Sequence, residues 1–328
     1  MFAGLLNKGF RGSAVLLAVV FVLLIVINML GRVELENNSF PDIFYNYFSS
    51  RLSSRWAIIS INFLLILIGS VLINLIAARQ EVTEKTNYFP VFLYMLLTGT
   101  CVSPYRIAPQ AFANVFILFS IYRLLNTYRK EDSLRQIFES ALWLCLSFFV
   151  TISAIGYLPM FFIALFILRP FYWREWAVAL LGFITPVYIY ECMAYLSGFN
   201  RWYLAEAIKN YFHFLRLPSI SEYYLAMSIC LFLLLMVSLF YSFAGSGSSS
   251  VKKQRARNIL ASYVLFSVFG FFSGGANGAG IISLFAIPLS FFIGEFFFSI
   301  RQIKITNTIL AILVLCAAVI CLGQLGAI

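Results

Sequence analysis

Apolar runs of membrane length recur along this chain, and they constrain its fold more than any other feature. One of them, "WAIISINFLLILIGSVLINLIAA", carries no charge over residues 56–78. A helix needs about 20 such residues to cross the roughly 30 Å hydrocarbon core of a bilayer. The whole chain is 62% hydrophobic and only 11% charged over 328 residues, with a mean hydropathy of +0.92. A water-soluble domain of that composition would have an apolar surface. The fold class is therefore all-α, a polytopic transmembrane helix bundle.

Hydropathy gives about eleven candidate spans, near residues 13–31, 56–78, 89–104, 110–127, 137–155, 157–170, 176–197, 223–244, 258–275, 279–300 and 307–327. The third and sixth are short for a crossing, which predicts tilt, a kink or partial insertion. The first follows "MFAGLLNKGFRGS" and ends in "GRVELENN" without a small-residue cleavage site, so it reads as an uncleaved span. With the N-terminus in the cytoplasm and strict alternation, 16 of the 23 Lys and Arg residues fall inside and 7 outside. Short loops rich in Lys and Arg stay cytoplasmic, so the chain reads as N-in and C-out. The net charge of +10 is then mostly a topology signal, and nucleic acid is not an expected partner. Residues 245–257 hold a Gly/Ser run and then "KKQRAR". They read as a basic cytoplasmic linker between an eight-span part (1–244) and a three-span part (258–328).

Six cysteines lie inside apolar runs without a CxxC pair, and His213 is the single histidine. No disulfide framework or zinc site follows from that pattern, and it excludes a His-ligated metal oxygenase. Two outside segments carry the polar chemistry. In "RVELENNSFPDIFYNYFSSRLSSR", apolar residues recur at helical spacing from Ile43, which predicts an interfacial helix near 40–54. Glu34, Glu36 and Asp42 are the carboxylates there, and Asp42 also suits a helix start three residues after Ser39. In "FNRWYLAEAIKNYFHFLRLPSISEYY", Leu204, Ile208, Tyr211, Phe212 and Leu215 share a face, predicting a second interfacial helix near 201–216 that exposes His213. Arg106 is the only charge in the proline-bounded turn "CVSPYRIAPQ". Such an arginine binds a lipid phosphate or snorkels to headgroups. Glu139, Glu191 and Glu295 sit near span ends, where an ionisable group is costly and often functional. Glu191 shares the outside with Asp42 and Arg106. Across the membrane, "RPFYWREW" (169–176) reads as an inside loop with an aromatic belt. Pro170 ends one helix and Glu175 opens the next.

The stretch "FILRPFYWREWAVALLGFITPVYIY", with "FANVFILFSIYRLL" and "FESALW" upstream, resembles an uncharacterised family of multi-pass proteins from Gram-negative bacteria. Some members carry a carotenoid-oxygenase label, which the single histidine does not support. The layout of residues 1–200 is similar to that of GT-C glycosyltransferases, which use polyprenyl-phosphate sugars. That likeness implies a transferase acting on a lipid-linked sugar at the outer face of the inner membrane. Asp42, Glu36 or Glu34 would be the base or metal ligand, and Arg106, Arg51 and Arg55 would bind phosphate, with His213 and Glu191 nearby. No cofactor is implied beyond a divalent cation at the carboxylates. The partners implied are membrane lipids and a polyprenyl-phosphate substrate. Two other functions compete: a non-catalytic protein of envelope assembly, and a lipid or solute transporter.

Overall fold

The computed structural model describes residues 17–26, 54–79, 87–102, 107–128, 130, 133–197, 222–244, 250–272, 278–300 and 303–324. Among these residues there is helix and no strand. The helices are α1 (Leu17–Val26), α2 (Arg55–Arg79), α3 (Phe89–Gly99), α4 (Pro109–Leu125), α5 (Leu134–Val150), α6 (Tyr157–Leu168), α7 (Trp173–Ser197), α8 (Glu222–Ala244), α9 (Val251–Phe272), α10 (Gly278–Ser299) and α11 (Ile303–Gln324). A 3₁₀ turn, Ile152–Gly156, leads into α6. Long stretches of α2, α7, α8 and α10 are apolar enough to cross a membrane. The protein is a membrane protein, and the outward faces of α7 and α8 show why. Leu180, Ile184, Tyr188 and Met193 on α7, with Phe232, Leu233 and Phe240 on α8, are all exposed. Only a hydrocarbon solvent makes that arrangement favourable.

Prolines set several of the boundaries. Arg169 is extended (φ −137°, ψ 145°) and ends α6, because a residue preceding proline is pushed out of the α region. Ala108 is extended for the same reason before Pro109, which opens α4 at a position where its missing N–H costs nothing. Pro90 does the same for α3. The sequence expectation of a helix stop at Pro170 and a start near Glu175 agrees with α6 and α7.

The centre of the bundle is α3. It has 11 residues, and every one is buried. At about 1.5 Å per residue it is roughly 16 Å long, half a bilayer. Its neighbours are α2, α10 and α11, and Leu24 of α1 lies against Gly99. Phe89 meets Phe297 of α10 edge-on at 5.9 Å. Gly294 leaves room for Pro90, and Gly69 of α2 leaves room for the Tyr94 ring. Small residues of this kind let helices approach closely in a membrane. Gly182 of α7 plays the same part against Ala141 of α5. The short third span expected from hydropathy is thus an enclosed half-helix. The short sixth, α6, runs beside α9, where Tyr157 stacks on Tyr263 at 4.5 Å.

Of the linker expected over residues 245–257, residues 250–257 are described. Helix α9 begins at Val251, and the Ser250 hydroxyl accepts a bond from the Lys253 N–H at 3.3 Å, as an N-cap does. The four basic residues therefore sit in the first two turns of a helix. The C-terminal helices also share the main core: α10 lies against α3, α4, α8 and α9.

Candidate functional site

At one end of the bundle the charged side chains form a single layer. Helices α2, α4, α6, α8 and α10 finish there, and α5, α7 and α9 begin there. A helix C-terminus presents carbonyls with no partner in the helix and a partial negative charge. The first turns of α9 answer several of them at once. Lys252 donates to the Arg79 carbonyl at the end of α2, at 2.5 Å. Arg255 donates to the Leu168 carbonyl at the end of α6, at 2.7 Å, and lies over the Tyr128 ring at 5.1 Å. Arg257 donates to the Ser242 carbonyl near the end of α8, at 2.7 Å, and lies over Phe243 at 5.0 Å. Lys253 pairs with Glu295 of α10 at 2.6 Å. Four positive charges at a helix start oppose its own dipole, and these cross-helix contacts offset that cost.

The rest of the layer follows the same logic. Arg169 pairs with Glu175 at 2.7 Å, both largely shielded from solvent, and donates to the Lys130 carbonyl at 2.6 Å. The Ser133 hydroxyl also reaches Glu175, at 3.4 Å. Glu139 takes Arg123 at 3.1 Å and Arg135 at 2.8 Å. Arg79 donates to the Tyr122 hydroxyl. Glu139 and Glu295, singled out from the sequence as costly carboxylates, are thus ion-pair partners of basic side chains. Glu175, read as a helix start, is one too.

The opposite end receives the starts of α2, α4, α8 and α10. Of the predicted site residues, Arg55 and Glu191 are described. Arg55 opens α2 and is partly exposed. Glu191 is half-buried on α7. Helix α2 lies along α3 and α4, whereas α7 lies along α5. Glu34, Glu36, Asp42, Arg51, Arg106 and His213 lie outside the described residues, as do the interfacial helices expected near 40–54 and 201–216. Among the described residues no group of three or more His, Cys, Asp or Glu could hold a metal ion.

Hydropathy reasoning missed the buried asparagines. Asn62 of α2 is fully buried and accepts from the Ala108 N–H at 2.9 Å, the backbone group just before α4. Asn87 accepts from the Phe89 N–H at 3.0 Å and donates to the Gly294 carbonyl at 3.1 Å, tying the start of α3 to α10. Asn114 of α4 donates to the Ser283 carbonyl of α10 at 2.7 Å. In a hydrocarbon solvent each backbone group at a helix break needs such a partner. An asparagine inside an apolar run, as in "SINFLL" (60–65), was the available signal.

Compared with known proteins, residues 43–327 match the family of unknown function DUF6427. No curated protein and no solved structure matches the chain.

Proposed function

The chain belongs to DUF6427, and for it we propose a GT-C-like transferase that acts on a lipid-linked sugar at the outer face of a bacterial inner membrane. In this reading the chain crosses about eleven times, with its N-terminus and the charged layer inside. The observation that carries it is the partition of charge between the two ends. Among the described residues, the carboxylates of the charged layer (Glu139, Glu175 and Glu295) are all committed to ion pairs that tie helix ends together. In this reading, chemistry that needs an uncommitted carboxylate falls to the first outside loop, to which the sequence assigns Glu34, Glu36 and Asp42. Asp42 or Glu36 would deprotonate the acceptor hydroxyl or hold a divalent cation. Arg106, with Arg51 or Arg55, would neutralise the polyprenyl phosphate.

The test is transfer of sugar from a polyprenyl-phosphate donor in membranes carrying Asp42→Asn, Glu36→Gln or Glu34→Gln. Loss of a positioned general base costs about 10²–10⁴-fold, so one of the three is expected to fall by that much at unchanged protein level. Unchanged transfer in all three would end the transferase reading.

A further inference from the structure

Helices α8 and α10 run in the same direction as neighbours, and their register is constant: Ser242 meets Glu295 and Tyr241 meets Phe296 at one end. Toward the other end the two helices leave a groove of about 290 Å³ between Ser228–Leu235 and Ile282–Leu289. Among the described residues, α8 is hydrogen-bonded to other helices at Ser242, by Glu295 at 3.3 Å and by Arg257. Further along, the groove between α8 and α10 is walled mostly by apolar side chains. Leu231, Leu235 and Leu289 form the buried floor, and Ile229, Phe232 and Leu233 stay exposed at the rim. The rim continues directly into the outward apolar face of α8. Among the described residues no charged side chain lines the groove, and the Ser228 hydroxyl is used within α8 at 2.8 Å.

We infer that this groove is a lipid site that takes one acyl chain of a bilayer phospholipid. Its mouth continues the membrane-facing surface, so hydrocarbon chains are what it meets. Its volume lies at the low end of the roughly 300–1,000 Å³ of ligand pockets, enough for a chain segment and too small for a headgroup as well. An apolar groove left empty in the bilayer would forfeit dispersion contacts along both walls. The site involves none of the outer carboxylates and stands apart from the transferase reading.

The experiment places a photo-crosslinking phenylalanine analogue at Phe285, inside the groove. The same analogue at Phe240, on the lipid-facing surface, is the control. Both are irradiated in membranes and again after detergent extraction and washing. A phospholipid adduct is expected at both positions in membranes and is expected to survive extraction only at Phe285. Filling the groove with Ser228→Phe is expected to abolish that surviving adduct. Equal loss at the two positions overturns the site, and a polyprenyl or peptide adduct at Phe285 overturns the assigned occupant. If the analogue prevents folding, native mass spectrometry of the unmodified protein decides instead. Retained phospholipid that Ser228→Phe removes supports the site, and its absence overturns it. A surviving adduct alongside normal transfer by Asp42→Asn, Glu36→Gln and Glu34→Gln would keep the lipid site and discard the transferase. Loss of transfer without an adduct would do the reverse.

Discussion

Gly294→Ala is expected to destabilise the bundle, although alanine is the better helix former. A methyl group there would lie 2.7 Å from Pro90 Cγ and 2.8 Å from its Cδ and N. The proline ring cannot rotate aside, so α3 and α10 must part by about 0.7 Å to reach the 3.4 Å of ordinary contact. Overpacking of this kind costs about 1–3 kcal/mol. The same movement stretches the 3.1 Å bond from Asn87 to the Gly294 carbonyl, a contact worth about 0.6–1.7 kcal/mol in a membrane. Against this, alanine gains about 0.8–1.0 kcal/mol of helix propensity. The net cost is roughly 1–4 kcal/mol. Gly99→Ala is the comparison, because its methyl meets only the end of the Leu24 side chain, which can turn away. The buried thiols of Cys101 and Cys145 report unfolding of the purified protein to a thiol-reactive dye during heating. If Gly294→Ala unfolds at or above the unsubstituted temperature, propensity has won and the close approach of α3 to α10 is not what holds the core.

Two further expectations concern the charged layer. Glu175→Ala strands the largely buried Arg169 and is expected to cost about 3–5 kcal/mol, as broken buried pairs do. Glu139→Ala frees the more exposed Arg123 and Arg135 and is expected to cost about 1 kcal/mol or less per pair; a thermal-unfolding comparison of the two variants checks the ranking. With Cys192 replaced by Ser, a cysteine introduced at the exposed Gln254 is expected to resist an impermeant maleimide in intact spheroplasts and to react after lysis. Labelling before lysis would reverse the proposed orientation.

The helices were legible in the sequence, because hydropathy follows the solvent that each helix faces. So was the company kept by the basic residues: Arg79, Arg123, Arg169 and the basic run of α9, assigned to one side by counting, meet in one layer. The start of α9 was not legible. A run such as "KKQRAR" looks like a solvated linker, and its role depends on carbonyls contributed by α2, α6 and α8, which the local sequence does not announce. The enclosure of α3 was hidden for a related reason. Hydropathy is the same whether a leucine faces lipid or protein, so "FPVFLYMLLTG" (89–99) cannot say that it is surrounded. As for the candidate site, loop composition nominated most of its residues and a span-end position nominated Glu191, and of the eight only Arg55 and Glu191 fall on the described helices.

The enclosed half-helix has a consequence for how the protein is made. Asn87 finds its acceptor on Gly294, 207 residues later in the chain. At about 5–20 residues per second of synthesis, the start of α3 waits roughly 10–40 s for α10 to leave the ribosome. Throughout that interval the segment has no finished slot to enter. Truncations that remove α10 should therefore be recognised by membrane proteases through the exposed start of α3, whatever the fate of the missing C-terminus.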